Sequence, residues 1–182
     1  VIQEARNSSE KHGEIAEMPK EEQDDVLRMI GMGALKFMII KVQPKKRMIF
    51  DPQESVDMQG QTGPYVQNAY VRIKSVLRRY EGESLGDSAG YTDINEYELA
   101  LLKEIVEYPN MIKDAAERYD PSAVANYCYQ LAKTYHRFYH EVRILKAESD
   151  TARAFRLELS QVVANILQSG MDLLGIKMPE RM

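Results

Sequence analysis

Apolar side chains recur every three or four positions along nearly the whole chain, the periodicity of helices with one buried face. Between Lys20 and Val42 the stripe is Val26, Ile30, Ala34, Phe37 and Ile40. Gly31 and Gly33 fall inside this helix, where each costs about 1 kcal/mol relative to alanine, so another backbone is expected to pack closely there. Pro44 is expected to end the helix. Arg47-Met48-Ile49-Phe50 reads as a short strand, and Asp51-Pro52 as the start of a turn or short helix. Thr62 is a credible N-cap with Pro64 in the first turn. The helix it opens buries Val66, Ala69, Ile73, Val76, Leu77 and Tyr80.

Residues 81–93, rich in glycine, serine and acids, read as a flexible connector. The spacing then predicts a helix over 96–108 broken at Pro109, and a second over 111–119 broken at Pro121. Asp120-Pro121-Ser122 signals the start of a helix running to Leu145, with Val124, Cys128, Leu131, Tyr135, Phe138 and Val142 inward. The last helix, over 151–174, turns Phe155, Leu159, Val162 or Val163, Ile166 and Leu173 or Leu174 inward. Gly175 stops it and Pro179 prevents resumption. These elements predict an all-α antiparallel helix bundle, with a short mixed segment before it. The expected division is 1–61 and 62–182, with the connector 81–93 inside the second part.

Charge sharpens this picture more than composition does. The net charge of −4 argues against general nucleic-acid affinity, yet the cations are clustered. Five basic residues and no acid lie between Lys36 and Arg47, and four basic residues and no acid between Arg72 and Arg79. Lys133 to Lys146 carries four basic residues and two histidines against Glu141. Solvated helix faces cluster charge in the same way, so charge alone leaves both readings open. The one cysteine, Cys128, excludes an internal disulfide and suits a reducing, cytoplasmic setting. No apolar run reaches the roughly 20 residues of a membrane span. The chain opens at Val1 in a segment that already reads as helix, so it is expected to be a piece of a longer protein.

The helix beginning at Pro64 is the best candidate binding element. Tyr65 lies off its buried stripe and could stack on a base, Gln67 and Asn68 could bond base edges, and the first-turn N–H groups attract phosphate. The bland alternative packs Tyr65 against a neighbouring helix. Tyr139, beside Arg137 and His140, stands out in the aromatic helix for the same reason, and Arg143 and Lys146 extend its basic face. His136 and His140 have a spacing that suits zinc, but no third ligand is evident. Cys128 sits on an apolar stripe and reads as core. No nucleophile–base set, phosphate loop or catalytic acid pair stands out. A helical protein-interaction module without any nucleic-acid role is the alternative these patterns allow.

Four passages resemble the arginine–tRNA ligases, which are class I aminoacyl-tRNA synthetases. They are Gly33 to Phe37 continuing through Lys45 to Asp51; Thr62-Gly63-Pro64-Tyr65 with Arg72 and Ser75; Asp150-Thr151-Ala152-Arg153, similar to an Asp-Ala-Leu-Arg signature; and Gly170 to Ile176 followed by Pro179-Glu180-Arg181-Met182. The resemblance covers nearly the whole chain. It implies an anticodon-binding bundle preceded by a tRNA-stem-contact segment, within an enzyme that joins arginine to its tRNA using ATP with magnesium. The catalytic His-x-Gly-His and lysine-loop signatures do not occur here, so this chain is expected to be inactive alone and to hold no cofactor. The resemblance assigns the anticodon pocket to Tyr65, Tyr139 and Met182, with Asn68 where a second aromatic is often found. It assigns phosphate contacts to Lys45, Lys46, Arg47, Arg72 and Arg79. Implied partners are an arginine tRNA and the catalytic domain, with no membrane and a single copy.

Overall fold

The computed structural model describes residues 1–9, 15–43, 45–80 and 85–182. Among them are seven α-helices and one 3₁₀ turn, Ile15–Glu17, with no strand. The helices are α1 (Ile2–Ser9), α2 (Lys20–Ile40), α3 (Pro52–Ser55), α4 (Gly63–Arg79), α5 (Glu96–Arg118), α6 (Pro121–Glu141) and α7 (Asp150–Leu173). Pro44 and residues 81–84 of the expected connector lie outside the described residues, while 85–93 carry no helix.

Most starts and stops follow local chemistry. Thr62 Oγ1 accepts from the Tyr65 N–H at 3.2 Å, and Pro64 occupies the first turn of α4. Asp51 caps α3, Asp120 caps α6 and Ser149 caps α7, each taking a first-turn N–H. At the end of α7, Gly175 adopts φ +66°, and the N–H groups of Gly175 and Ile176 return to the carbonyls of Asp172 and Met171, both at 2.9 Å. Those two bonds close the helix as a left-handed residue allows.

Three expectations fail for physical reasons. The segment 47–50 carries no regular structure and has no ladder partner among the described residues, and Ile49 is 92% exposed. Pro109 does not break α5, which runs unbroken from Glu96 to Arg118. An interior proline removes one donor and crowds the carbonyl four residues back, at a cost of about 3 kcal/mol, and α5 is secured against it at its start by a reciprocal cap between Asn95 and Glu98 and at its end by Tyr119 at φ +52°. α6 stops at Glu141 because Val142 is extended, and Ile144 then folds inward to become buried. On α7, Leu159, Val163 and Ile166 are buried as expected, and Phe155 and Leu174 pack half-buried against the core while Leu173 is exposed.

The main core is built by α4, α5, α6 and α7, with Phe37 reaching in from α2. The close approach expected at the α2 glycines is present. A Cβ on Gly63 would lie 2.5 Å from the Gly33 carbonyl oxygen, so α2 and α4 cross almost backbone to backbone. Gly31 meets Ile2 of α1 in the same way, its would-be Cβ 3.0 Å from the Ile2 Cα. A smaller cluster of Ile15, Val26, Ile30, Ala34 and Val56 lies along α2.

Cys128 is fully buried, and burial pushes its thiol up to about 12. It is therefore expected to resist alkylation at neutral pH while the protein is folded. Labelling with iodoacetamide across a urea gradient should track unfolding; rapid labelling of the native protein would contradict this packing.

Candidate nucleic-acid interface

Seven residues make about two helical turns, so Tyr65, Arg72 and Arg79 line one face of α4. Facing them on α6 are Tyr129, His136, Tyr139 and His140. The Tyr65 ring centroid is 5.2 Å from that of Tyr129 and 4.8 Å from that of His136, the latter edge to face. Arg72 reaches across the groove. Its Nη1 lies 3.0 Å from His136 Nδ1 and 3.5 Å from His140 Nε2, and its Cζ lies 4.8 Å from the Tyr139 centroid.

Beyond Tyr139 the groove opens into a depression of about 590 Å³. Val76, Ile144 and Leu145 supply apolar lining, and Arg79, Arg143, Lys146, Tyr139 and His140 supply the polar and aromatic lining. Among the described residues no acid contributes to that lining. Ring faces beside cations suit unstacked bases and their phosphates.

The surroundings also set protonation. Burial, then the charges of Arg72 and His140, lower the His136 pKa from 6.5 to about 4, against a hydrogen bond to the Tyr65 backbone that raises it. His136 is thus neutral at physiological pH. The unfolded chain binds the extra proton first as pH falls, so this residue lowers stability progressively between about pH 6.5 and 4. Urea titrations at pH 7 and pH 5 should show that loss, reduced in His136→Gln; an equal loss in both proteins would remove His136 as the cause. Burial also raises the Tyr65 phenol, with Tyr129 adding to the effect and Arg72 opposing it.

The structure brings Tyr65, Arg72 and Tyr139 into one cluster and places Arg79 at its open end. Asn68 lies one turn beyond Tyr65 and is half-buried. Lys45, Lys46 and Arg47 are exposed in the segment between α2 and α3, outside the depression. Met182 packs against the small α2 cluster instead. Near it, Glu180 bonds Tyr70 at 2.9 Å and Lys74 at 3.2 Å, and Arg78 donates to the Glu180 carbonyl at 3.0 Å. Lys74 is two residues from Arg72, about 200° around α4, so tail and aromatic cluster occupy different faces of that helix.

Gln67 corrects an expectation. It is fully buried, donating to the carbonyls of Met29 at 3.2 Å and Lys177 at 2.8 Å, so it ties α2 and the tail to α4 and reaches no base edge. The bland alternative for Tyr65 holds in part, since its ring half-packs on α6. The residue pattern left two features unread. Tyr129 showed only as one ring of an aromatic helix. Arg156 sits on the buried stripe of α7 between Ala152 and Leu159, and a cation at such a position signals a buried partner.

Among the described residues no group of three metal-ligating side chains could hold an ion, and no helix is long and apolar enough to cross a membrane. What the bundle offers is a groove between two helices, lined by aromatic rings and cations. The chain belongs to the DALR anticodon binding domain family, matched over residues 66–182. That membership decides against the protein-interaction module.

The arginine–tRNA ligase of Parabacteroides distasonis is 45% identical over 185 residues, covering all of this chain and 31% of that protein. The arginine–tRNA ligase of Porphyromonas gingivalis strain W83 is 44% identical over 191 residues, again covering all of this chain and 31% of that protein. The chain thus spans about a third of the length of the curated relatives it matches. Among solved structures, the arginyl-tRNA synthetase of Thermus thermophilus superposes with a TM-score of 0.88 at 32% identity, over all of this chain and 31% of that one. The Plasmodium falciparum arginyl-tRNA synthetase, at 21% identity and a TM-score of 0.75, shares the fold.

Proposed function

We propose that this chain is the anticodon-reading and stem-contacting part of an arginine–tRNA ligase, and that its own role is to hold an arginine tRNA. The parent enzyme would join arginine to that tRNA with ATP and magnesium in a separate catalytic domain, acting as a single copy in the cytoplasm. The observation that carries the reading is the cluster of Tyr65, Arg72 and Tyr139 opening onto a cationic depression. Tyr65 and Tyr139 stack unpaired anticodon-loop bases, Asn68 bonds a base edge, and Arg72 and Arg79 neutralise backbone phosphates. Lys45, Lys46 and Arg47, exposed outside the bundle groove, meet the backbone of a stem. Met182 offers its thioether to a base at the far side of α4.

Binding of an arginine tRNA and of an unrelated tRNA, each at low and moderate salt, tests the reading. A preference for the arginine tRNA that persists as salt rises is expected. Base–aromatic stacking is worth roughly 1–3 kcal/mol per base, so Tyr65→Ala should weaken binding about 5- to 150-fold with unchanged helicity. Arg72→Ala should lower the logarithmic salt slope by about 0.7 if it meets one single-stranded phosphate. Equal, salt-labile binding of both tRNAs, with no effect of Tyr65→Ala, would overturn the proposal. Deleting Met182 sets the extent of the footprint: lost affinity extends it to the tail, whereas unchanged affinity confines base contacts to the groove between α4 and α6.

A further inference from the structure

We propose that His136 is a positioning residue, whose neutral imidazole accepts a hydrogen bond from Arg72 and holds that guanidinium across Tyr139, aimed into the groove. The proposal rests on the tRNA-binding reading and adds a residue that the resemblance left without a role in it. It also accounts for the one-turn spacing of His136 and His140 without a metal.

A guanidinium has only donors to offer, so the 3.0 Å contact makes His136 Nδ1 the acceptor and leaves the ring proton on Nε2. The Tyr65 ring packs edge to face on the imidazole, its centroid 4.8 Å away. His140 Nε2, at 3.5 Å, stands as a second acceptor on the exposed side. No carboxylate among the described residues lies within ion-pairing distance of Arg72. The chemistry explains the choice of imidazole. A carboxylate would orient Arg72 equally well but would cancel its charge and compete with a phosphate for its N–H groups. A neutral acceptor fixes direction and leaves the full positive charge for RNA. The depressed proton affinity of His136 fits this role, because an imidazolium would present a donor and a like charge to the guanidinium.

The test compares the wild-type chain with His136→Leu, His136→Gln, Arg72→Ala and the double variant Arg72→Ala/His136→Leu in binding arginine tRNA. His136→Leu should weaken binding about five- to tenfold and flatten the salt slope towards that of Arg72→Ala. His136→Gln, which keeps an acceptor, should stay within about twofold of wild type. In the Arg72→Ala background, His136→Leu should have no further effect, because its route of action is gone. An equal additional loss in that background would overturn the proposal, as would unchanged binding in His136→Leu where Arg72→Ala binds weakly. Ring ¹⁵N chemical shifts separate this inference from the functional reading. If no variant binds tRNA, the tRNA reading fails; the positioning contact then stands if the His136 Nδ1 shift moves in Arg72→Ala and falls if it does not.

Discussion

Arg156→Met is expected to destabilise the protein by about 3–5 kcal/mol, the cost of removing one partner from a buried ion pair. Arg156 is 4% exposed and Glu98 fully buried, and Arg156 Nε meets Glu98 Oε1 at 2.6 Å. The remaining guanidinium donors are used as well. Nη1 donates to the Arg143 carbonyl at 3.0 Å and to Glu148 at 2.8 Å, while Nη2 donates to Glu148 at 2.6 Å and to the Tyr91 hydroxyl at 3.3 Å. Burial opposes the charge, but the hydrogen bonds the guanidinium donates to Glu148 and Glu98 outweigh that and raise the Arg156 pKa further. One side chain of α7 thereby joins the start of α5, the connector before it and the turn that carries Arg143 and Lys146 into the cationic depression.

Methionine at position 156 would fill the space and leave Glu98 buried and charged. A fall in melting temperature of about 6–20 °C is expected for a chain of this size. Adding Glu98→Gln should recover a large part of it, since glutamine removes the buried charge and keeps an acceptor for the Asn95 N–H, now held at 2.9 Å. Urea unfolding of the two variants measures both effects. A loss below about 1 kcal/mol for Arg156→Met, or no recovery in the double variant, would show that the pair is not what holds these segments.

Gly63→Ala is expected to destabilise by about 2–3 kcal/mol, at the upper end of the cost of overpacking. Its sign is the test. Alanine in a helix is ordinarily favoured over glycine by about 1 kcal/mol. Here the new methyl carbon would lie 2.5 Å from the Gly33 carbonyl oxygen, 2.7 Å from the Gly33 carbonyl carbon and 3.1 Å from Phe37 Cβ. None of these is the end of a flexible side chain, so α2 and α4 must separate. Tyr65 stands two residues further on, in the same first turn, so the variant should also lose tRNA affinity under native conditions. Thermal unfolding and tRNA titration of the same preparation read both consequences. Stabilisation by the substitution would mean that the two helices are not in backbone contact.

These cases show where residue patterns suffice. Helix starts and stops were legible because caps are local: Thr62, Asp120 and Gly175 each act within a few residues of themselves. The close helix crossing was legible too, since Gly31 and Gly33 made little sense in an exposed helix. Pro109 misled because the cost of an interior proline, about 3 kcal/mol, is borne by a helix of 23 residues held at both ends. Gln67 misled because an amide next to Tyr65 has the same composition whether it faces a base or, as here, two backbone carbonyls.

From the order of its residues alone, this protein is an all-helical bundle with a stackable tyrosine at the head of one helix, cations further along it, and a resemblance spanning nearly the whole chain. Those properties depend on neighbours within about one or two turns, and periodicity and caps report them directly. Folding was needed to pair Arg72 with His136 across 64 positions, to bury Arg156 against Glu98 across 58, and to carry Met182 away from the tyrosines. Contacts between remote segments arise from how helices cross, and the crossing depends on side-chain shapes on both helices at once. No periodicity within a single segment records that information.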